Sequence, residues 1–283
     1  MIMQYINSQG IEFELYNARA RVISGNFHSR RWQLITKQLP FGERIDAAEK
    51  DPIDYEIVFS IRGSLSERKD FCNRFTDASE YDIRKLIPGK LIYGEYSIDC
   101  LVTEAVTGIS KDQVYRTEIK AVFHCSYPFW IKIRKYSFPK DSNSASTQSS
   151  DADGMDYPYD YQYDYAVRRN SGNILKNESQ FDSRFKMTIF GPVADPVIEI
   201  AGHKYAINGE ILSGERIEID SINKTIYKIG SKVSQNWIGK RYKPESIFEP
   251  IPPGINTLNR NGLFGFNLDI YDERSEPPWV TES

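Results

Sequence analysis

Between Ile11 and Trp130 apolar and polar positions alternate in short runs cut by turn residues, the habit of half-buried strands. Ile11 to Tyr16, Ala20 to Ile23, Trp32 to Leu39 and Ile53 to Ile61 each mix β-branched and aromatic residues with polar ones. One segment departs from this period. From Ser64 to Ser79 the apolar positions Leu65, Phe71, Cys72 and Phe75 recur at three- to four-residue intervals, and Ser64 with Glu67 has the spacing of a capping box. The spacing predicts a helix over 64–79 that lies on a sheet by one apolar stripe. Glu67, Arg68, Lys69, Asp70, Asn73 and Arg74 then form its wet side. After a turn at Pro88-Gly89, Tyr96 to Val106 and Val114 to Cys125 read as two long strands joined through Gly108 to Asp112 into a hairpin. In the second, Tyr115, Thr117, Ile119, Ala121, Phe123 and Cys125 share one face, and Arg116, Glu118, Lys120 and His124 share the other.

The pattern stops after Phe138. Residues 141–154 are too polar to bury surface that offsets the entropy of ordering them, which predicts a linker or loop. Next, Tyr157, Tyr159, Tyr161, Tyr163 and Tyr165 alternate with polar residues and Pro158. An extended chain would put the five rings on one side, as an edge strand or arm against a neighbouring surface, or as an aromatic face for a sugar or a partner subunit. Beyond Asn173 short strands return at Arg184 to Phe190, Val197 to Ala201, Ile217 to Asp220, Thr225 to Ile229 and Leu263 to Tyr271. Gly-Pro, Asn-Gly and Ser-Gly turns separate them, and a Pro-rich tail follows. This spacing suggests a β-sandwich. The expected organisation is a first domain over 1–138, a polar Tyr-rich linker or arm over 139–170, and a second domain over 171–283.

Composition sharpens the class. A chain of 283 residues suits two domains, and 18 Tyr with 15 Phe lean toward strands. The net charge of -3 leaves no broad basic surface for a phosphate backbone, so no nucleic-acid site is expected. Nowhere is there a run of roughly 18 apolar residues to span a membrane, and no basic leader precedes an apolar stretch, so the expectation is a cytoplasmically made protein with no membrane partner. Cys72, Cys100 and Cys125 read as small buried hydrophobes. Metal ligation has His124 beside Cys125 as its only support, and neighbours in a strand face opposite ways.

Chemistry is sparse. His28, His124 and His203 stand in no nucleophile or zinc signature, and there is no phosphate-cradling glycine loop. Asp151, Asp153 and Asp156 resemble part of a calcium loop but do not complete one. Glu218 and Asp220 could be imagined as a glycosidase pair, although Asp220-Ser221 reads better as the start of a turn. No catalytic residue, metal or cofactor is expected.

The order of the pieces resembles the distal tail proteins of long-tailed phages. The resemblance rests on the helix, the turn Ile87-Pro-Gly-Lys-Leu91, the two long strands and the exit Tyr127-Pro-Phe-Trp130. It continues through Asn170-Ser-Gly-Asn173, Phe185 to Gly191, Asp195 to Ile200, Gly214 to Asp220 and Phe248 to Asn256. It implies a mainly β fold: an N-terminal β-sandwich or barrel-like domain with one helix, then a C-terminal galectin-like β-sandwich. It also implies a structural, non-enzymatic virion protein, a ring usually of six copies that joins the tail tube to the baseplate or tail tip. Partners would be further copies of itself, the tail tube protein, a tail-associated lysin or hub protein, and receptor-binding proteins or side fibres, with DNA passing through the channel. Ring contacts are then expected on the helix and hairpin, at Leu65, Phe71, Phe75, Ile98, Val102, Tyr115 and Ile119. The competing reading is a carbohydrate-binding tail module that presents Tyr157 to Tyr165 or Trp237 to host glycans. A glycoside hydrolase is a third.

Overall fold

The alternation becomes strands throughout, and the fold is mainly β with a single α-helix among the described residues. The computed structural model describes residues 3–108, 115–141, 168–169, 174–230 and 233–279. Two units divide the chain: Met1–Lys132 with Glu273–Ser283, and Ile133–Asp272. The first boundary thus falls earlier than the expected 138. The tail from Glu273, expected with the second domain, groups with the first unit, where Arg274 lies 5.4 Å from the Tyr96 ring centre and Trp279 stacks on His28 at 3.7 Å.

The first unit holds β1 (Met3–Ile6), β2 (Glu12–Glu14), β3 (Ala20–Gly25), β4 (Gln33–Gln38), β5 (Glu43–Glu49) and β6 (Ile53–Arg62). Helix α1 (Leu65–Lys85), β7 (Gly89–Tyr93), β8 (Tyr96–Gly108) and β9 (Arg116–Cys125) follow, and β10 (Trp130–Phe138) leads into the second unit. One sheet runs β2-β1-β7-β8 and the other β3-β6-β9-β8. The 13-residue β8 serves both: Tyr96 to Cys100 pair with β7, Leu101 to Gly108 pair with β9, and a register shift between Val102 and Glu104 accompanies the crossing. A bulge bends a strand and lets it turn a corner between sheets. The alternation read in β9 holds, with Thr117, Ile119, Ala121, Phe123 and Cys125 all buried.

The capping box forms as read: Glu67 N donates to Ser64 Oγ, and Ser64 N donates to Glu67 Oε2 at 2.9 Å. The helix continues past the expected Ser79 to Lys85, because its last turns have their own supports. Arg84 pairs with Glu80 at 2.7 Å, and Asp82 is buried beneath β1. The Asp82 carboxylate accepts from Tyr5 Oη at 2.7 Å, Ser8 N at 3.0 Å and Ser8 Oγ at 2.5 Å. Burial, with this hydrogen bond second, pushes the Tyr5 hydroxyl far above its ordinary pKa. Gly89 belongs to the same knot, since a Cβ there would come within 2.6 Å of Ile6 O and 2.9 Å of Asp82 Oδ2. Arg68, expected on the wet side, is buried instead and donates to Thr117 Oγ1 at 3.1 Å. Phe71 and Phe75 meet Phe13 edge-on at 5.5 and 5.3 Å, fastening the helix to the sheets by aromatic contact.

The second unit contains β11 (Arg168–Arg169), β12 (Ile174–Asn177), β13 (Phe185–Phe190), β14 (Val193–Ala194), β15 (Val197–Ile200) and β16 (His203–Ala206). Then come β17 (Glu210–Ile211), β18 (Arg216–Asp220), β19 (Thr225–Ile229), β20 (Ser234–Asn236), β21 (Gly254–Arg260) and β22 (Phe266–Arg274). One sheet runs β10-β22-β13-β18-β19-β20 and the other β12-β21-β15-β16. Met187, Ile217 and Leu268 from the first and Leu175, Ile198 and Leu258 from the second share one core. Two antiparallel sheets with a common apolar interior make a sandwich.

Candidate interaction surfaces

Strands β4 and β5 form a two-stranded sheet of their own, and every residue in both is exposed. The hairpin is closed at its tip by Leu39 N donating to Gly42 O at 2.9 Å, with Gly42 at a φ of 89° that favours glycine. It carries Leu34, Ile35, Leu39 and Ile45 in the open, and Phe41 at the tip is 97% exposed. Trp32 to Leu39 was expected to be a half-buried strand, and the structure corrects this. The run has the right residues, but no core lies beneath it. A two-stranded hairpin is marginal alone, so its base matters. Lys50, just past β5, donates to Pro128 O at 2.6 Å and sits 4.6 Å from the Phe129 ring centre, while Trp32, just before β4, meets Phe129 edge-on at 6.1 Å. Burial lowers the Lys50 pKa to about 8, against a smaller upward pull from Glu276.

The positions expected to form ring contacts separate into three groups. Phe75, Ile98, Val102 and Ile119 are all buried in the core of their own unit; alternation finds a buried face without saying what buries it. Phe71 is half-buried against the same core. Leu65 is 59% exposed and Tyr115 81%, leaving these two on the surface. Tyr157, Tyr159, Tyr161, Tyr163 and Tyr165 lie outside the described residues, as does the calcium-like stretch at Asp151 to Asp156. Trp237 is half-buried on the sandwich core; Lys228 Nζ lies 4.8 Å from its ring centre, and a Cβ on Gly209 would come within 3.0 Å of the ring.

The candidate chemistry resolves into structural bonds. His124 Nδ1 is 2.7 Å from Asp54 Oδ1, its cross-strand neighbour, and His203 Nε2 is 2.7 Å from Ser246 O. Glu218 is bound by Lys186 at 2.8 Å and Arg216 at 2.9 Å. Burial alone would raise its carboxyl, but those two cations outweigh it and hold the pKa below the ordinary range. Such a group cannot serve as a proton donor near neutral pH. Asp220 Oδ1 accepts from Ile222 N at 2.9 Å and Asn223 N at 3.0 Å, the turn role read from the sequence. Among the described residues no three His, Cys, Asp or Glu are grouped to hold a metal ion, and no helix is long and apolar enough to cross a membrane.

No family model matches the sequence, and no curated protein matches it. Solved structures do match. The phage P2 baseplate in its activated conformation with calcium contains a chain 12% identical, with a TM-score of 0.60 over 98% of this chain and 100% of that one. The same baseplate with strontium gives 10% identity and 0.60 over 98% and 100%. The Dit protein of phage SPP1, described as a paradigm of hub adsorption apparatus in phages infecting Gram-positive bacteria, gives 8% identity and 0.57 over 97% and 100%. This chain therefore has the fold of phage baseplate and Dit proteins along nearly its whole length.

Proposed function

We propose that the chain is a distal tail protein, a structural and non-enzymatic component of a phage tail. Six copies close into a ring that connects the tail tube to the baseplate or tail tip and anchors receptor-binding proteins or side fibres. The protein is made in the host cytoplasm and ends in the virion. The observation that carries this reading is end-to-end agreement of fold: both units match chains of phage baseplates and hubs with nothing left over on the other side. The exposed hairpin β4–β5 supports it. A closed ring needs a heterologous contact, and an apolar arm projecting from each copy supplies one face of it. Leu65 and Tyr115 are further surface candidates for that contact. The carbohydrate-binding reading has less support, because Trp237 already packs on Gly209 and Lys228.

The assignment is tested by incubating purified, gold-labelled protein with isolated phage tail tubes that lack their tip and imaging by electron microscopy. Label at one tube end supports it. Label along the tube, or none at either end, overturns it.

A further inference from the structure

Cys100 and Cys125 lie on adjacent strands, and the register sets them opposite each other. Leu101 of β8 pairs with His124 of β9, and one further step of the same register brings Cys100 to Cys125. Both side chains point into the core, with 1% and 0% of their surfaces exposed. Cys125 Sγ lies 3.8 Å from Phe123 O. No disulfide links them, and Cys72 on the helix is likewise unbonded. Directly opposed residues in an antiparallel pair have Cβ atoms about 4.5–5.5 Å apart, and a disulfide requires about 3.5–4.5 Å. At that spacing the strands need to close by no more than about 1 Å for the bond to form.

We propose that Cys100 and Cys125 are the site of an intramolecular disulfide, formed when the protein passes from a reducing compartment to an oxidising one. The oxidant is a low-molecular-weight disulfide. One cysteine, deprotonated during a local opening of the strand pair, attacks a sulfur of the oxidant; the oxidant's S–S bond breaks and one thiolate leaves. The second cysteine attacks the mixed disulfide, forming the Cys100–Cys125 bond and expelling the second thiolate. Two protein S–H groups are oxidised, one external S–S bond is reduced to two thiols, and no other electron carrier is needed. Burial pushes the Cys100 thiol well above its ordinary pKa, so the closed fold protects the pair and opening limits the rate. The bond would staple β8 to β9 beside the bulge where β8 changes sheets.

The test uses the full chain with Cys72→Ser, incubated with oxidised glutathione in native buffer and in low urea. It is then alkylated under denaturing conditions and mapped by mass spectrometry without reduction. The expected product is a linked Cys100–Cys125 peptide pair two hydrogens lighter than its reduced form. It should form faster in low urea, be reversed by dithiothreitol, and raise the melting temperature by roughly 5 °C. A companion Cys72→Ser/Cys125→Ala chain, folded by circular dichroism, should stop at the Cys100–glutathione mixed disulfide once opened. Full alkylation of both cysteines after oxidant exposure in both buffers would overturn the proposal. So would mixed disulfides that persist on both cysteines without resolving into the pair.

Discussion

Replacing Leu34 and Phe41 with serine should separate assembly from folding. Phe41 is 97% exposed and Leu34 55%, and neither belongs to either core, so the folded unit loses nothing it depends on. Surface substitutions of this kind change stability by about 0.5 kcal/mol or less, which keeps the melting temperature within roughly 2 °C of the parent. In the proposed ring the same side chains would be covered by the next copy. Fully burying a Phe or Leu contributes ~1.5–3 kcal/mol. Leu34 begins about half covered and adds correspondingly less, so each arm loses roughly 3 kcal/mol of association, about a hundredfold per contact. Sedimentation velocity over a wide concentration range reads the association, and a circular dichroism melt reads the fold. Assembly unchanged from the parent would refute the arm's role. A melt lowered by many degrees would refute the claim that the arm lies outside the core.

Three further outcomes follow from the geometry. Asp82→Ala strands the Tyr5 hydroxyl and the Ser8 amide in a buried site and should cost ~2–4 kcal/mol, read as a lower urea midpoint; a change under 0.5 kcal/mol would show that the carboxylate does not fasten the helix end. Lys50, with its pKa lowered to about 8, sheds its proton in the folded state before the unfolded chain does, so its contribution makes stability rise with pH from about 8 toward 10. Above that, tyrosines with raised values, Tyr55 at about 12 among them, oppose the rise because the unfolded chain ionises first. Urea midpoints for the parent and Lys50→Met at pH 7.5 and 9.5 isolate the lysine, and identical slopes would contradict the assignment. Trp237→Ala should lower stability by ~1–3 kcal/mol through lost packing on Gly209 without creating or removing glycan affinity, checked by thermal melts and a glycan array; glycan binding by the parent that the variant loses would revive the carbohydrate reading.

The strand-rich class and the helix start were legible because both are local: the capping box is four residues long and the alternation of β9 needs no partner to be seen. The helix end was not, since Asp82 is held by Tyr5 and Ser8, more than 70 positions away. Alternation also misjudged β4. It reports that one face is apolar, and Trp32 to Leu39 has an apolar face that meets no core of its own chain. The same limit put Phe75, Ile98, Val102 and Ile119 among the surface candidates, when they fill the interior of their own unit. The tail was assigned to the second domain by sequence order, whereas the stacking of Trp279 on His28 joins positions near opposite ends of the chain. The opposition of Cys100 and Cys125 depends on the register between two long strands, which spacing alone does not give.

The central claim is that copies of this chain close into a ring. Native mass spectrometry of the purified protein across a hundredfold concentration range, paired with negative-stain class averages of the same samples, tests it most directly. The account predicts a species of six times the 32.7 kDa chain mass whose averages show six-fold symmetry around an open centre. A monomer at every concentration, or a larger species without a central opening, would contradict it.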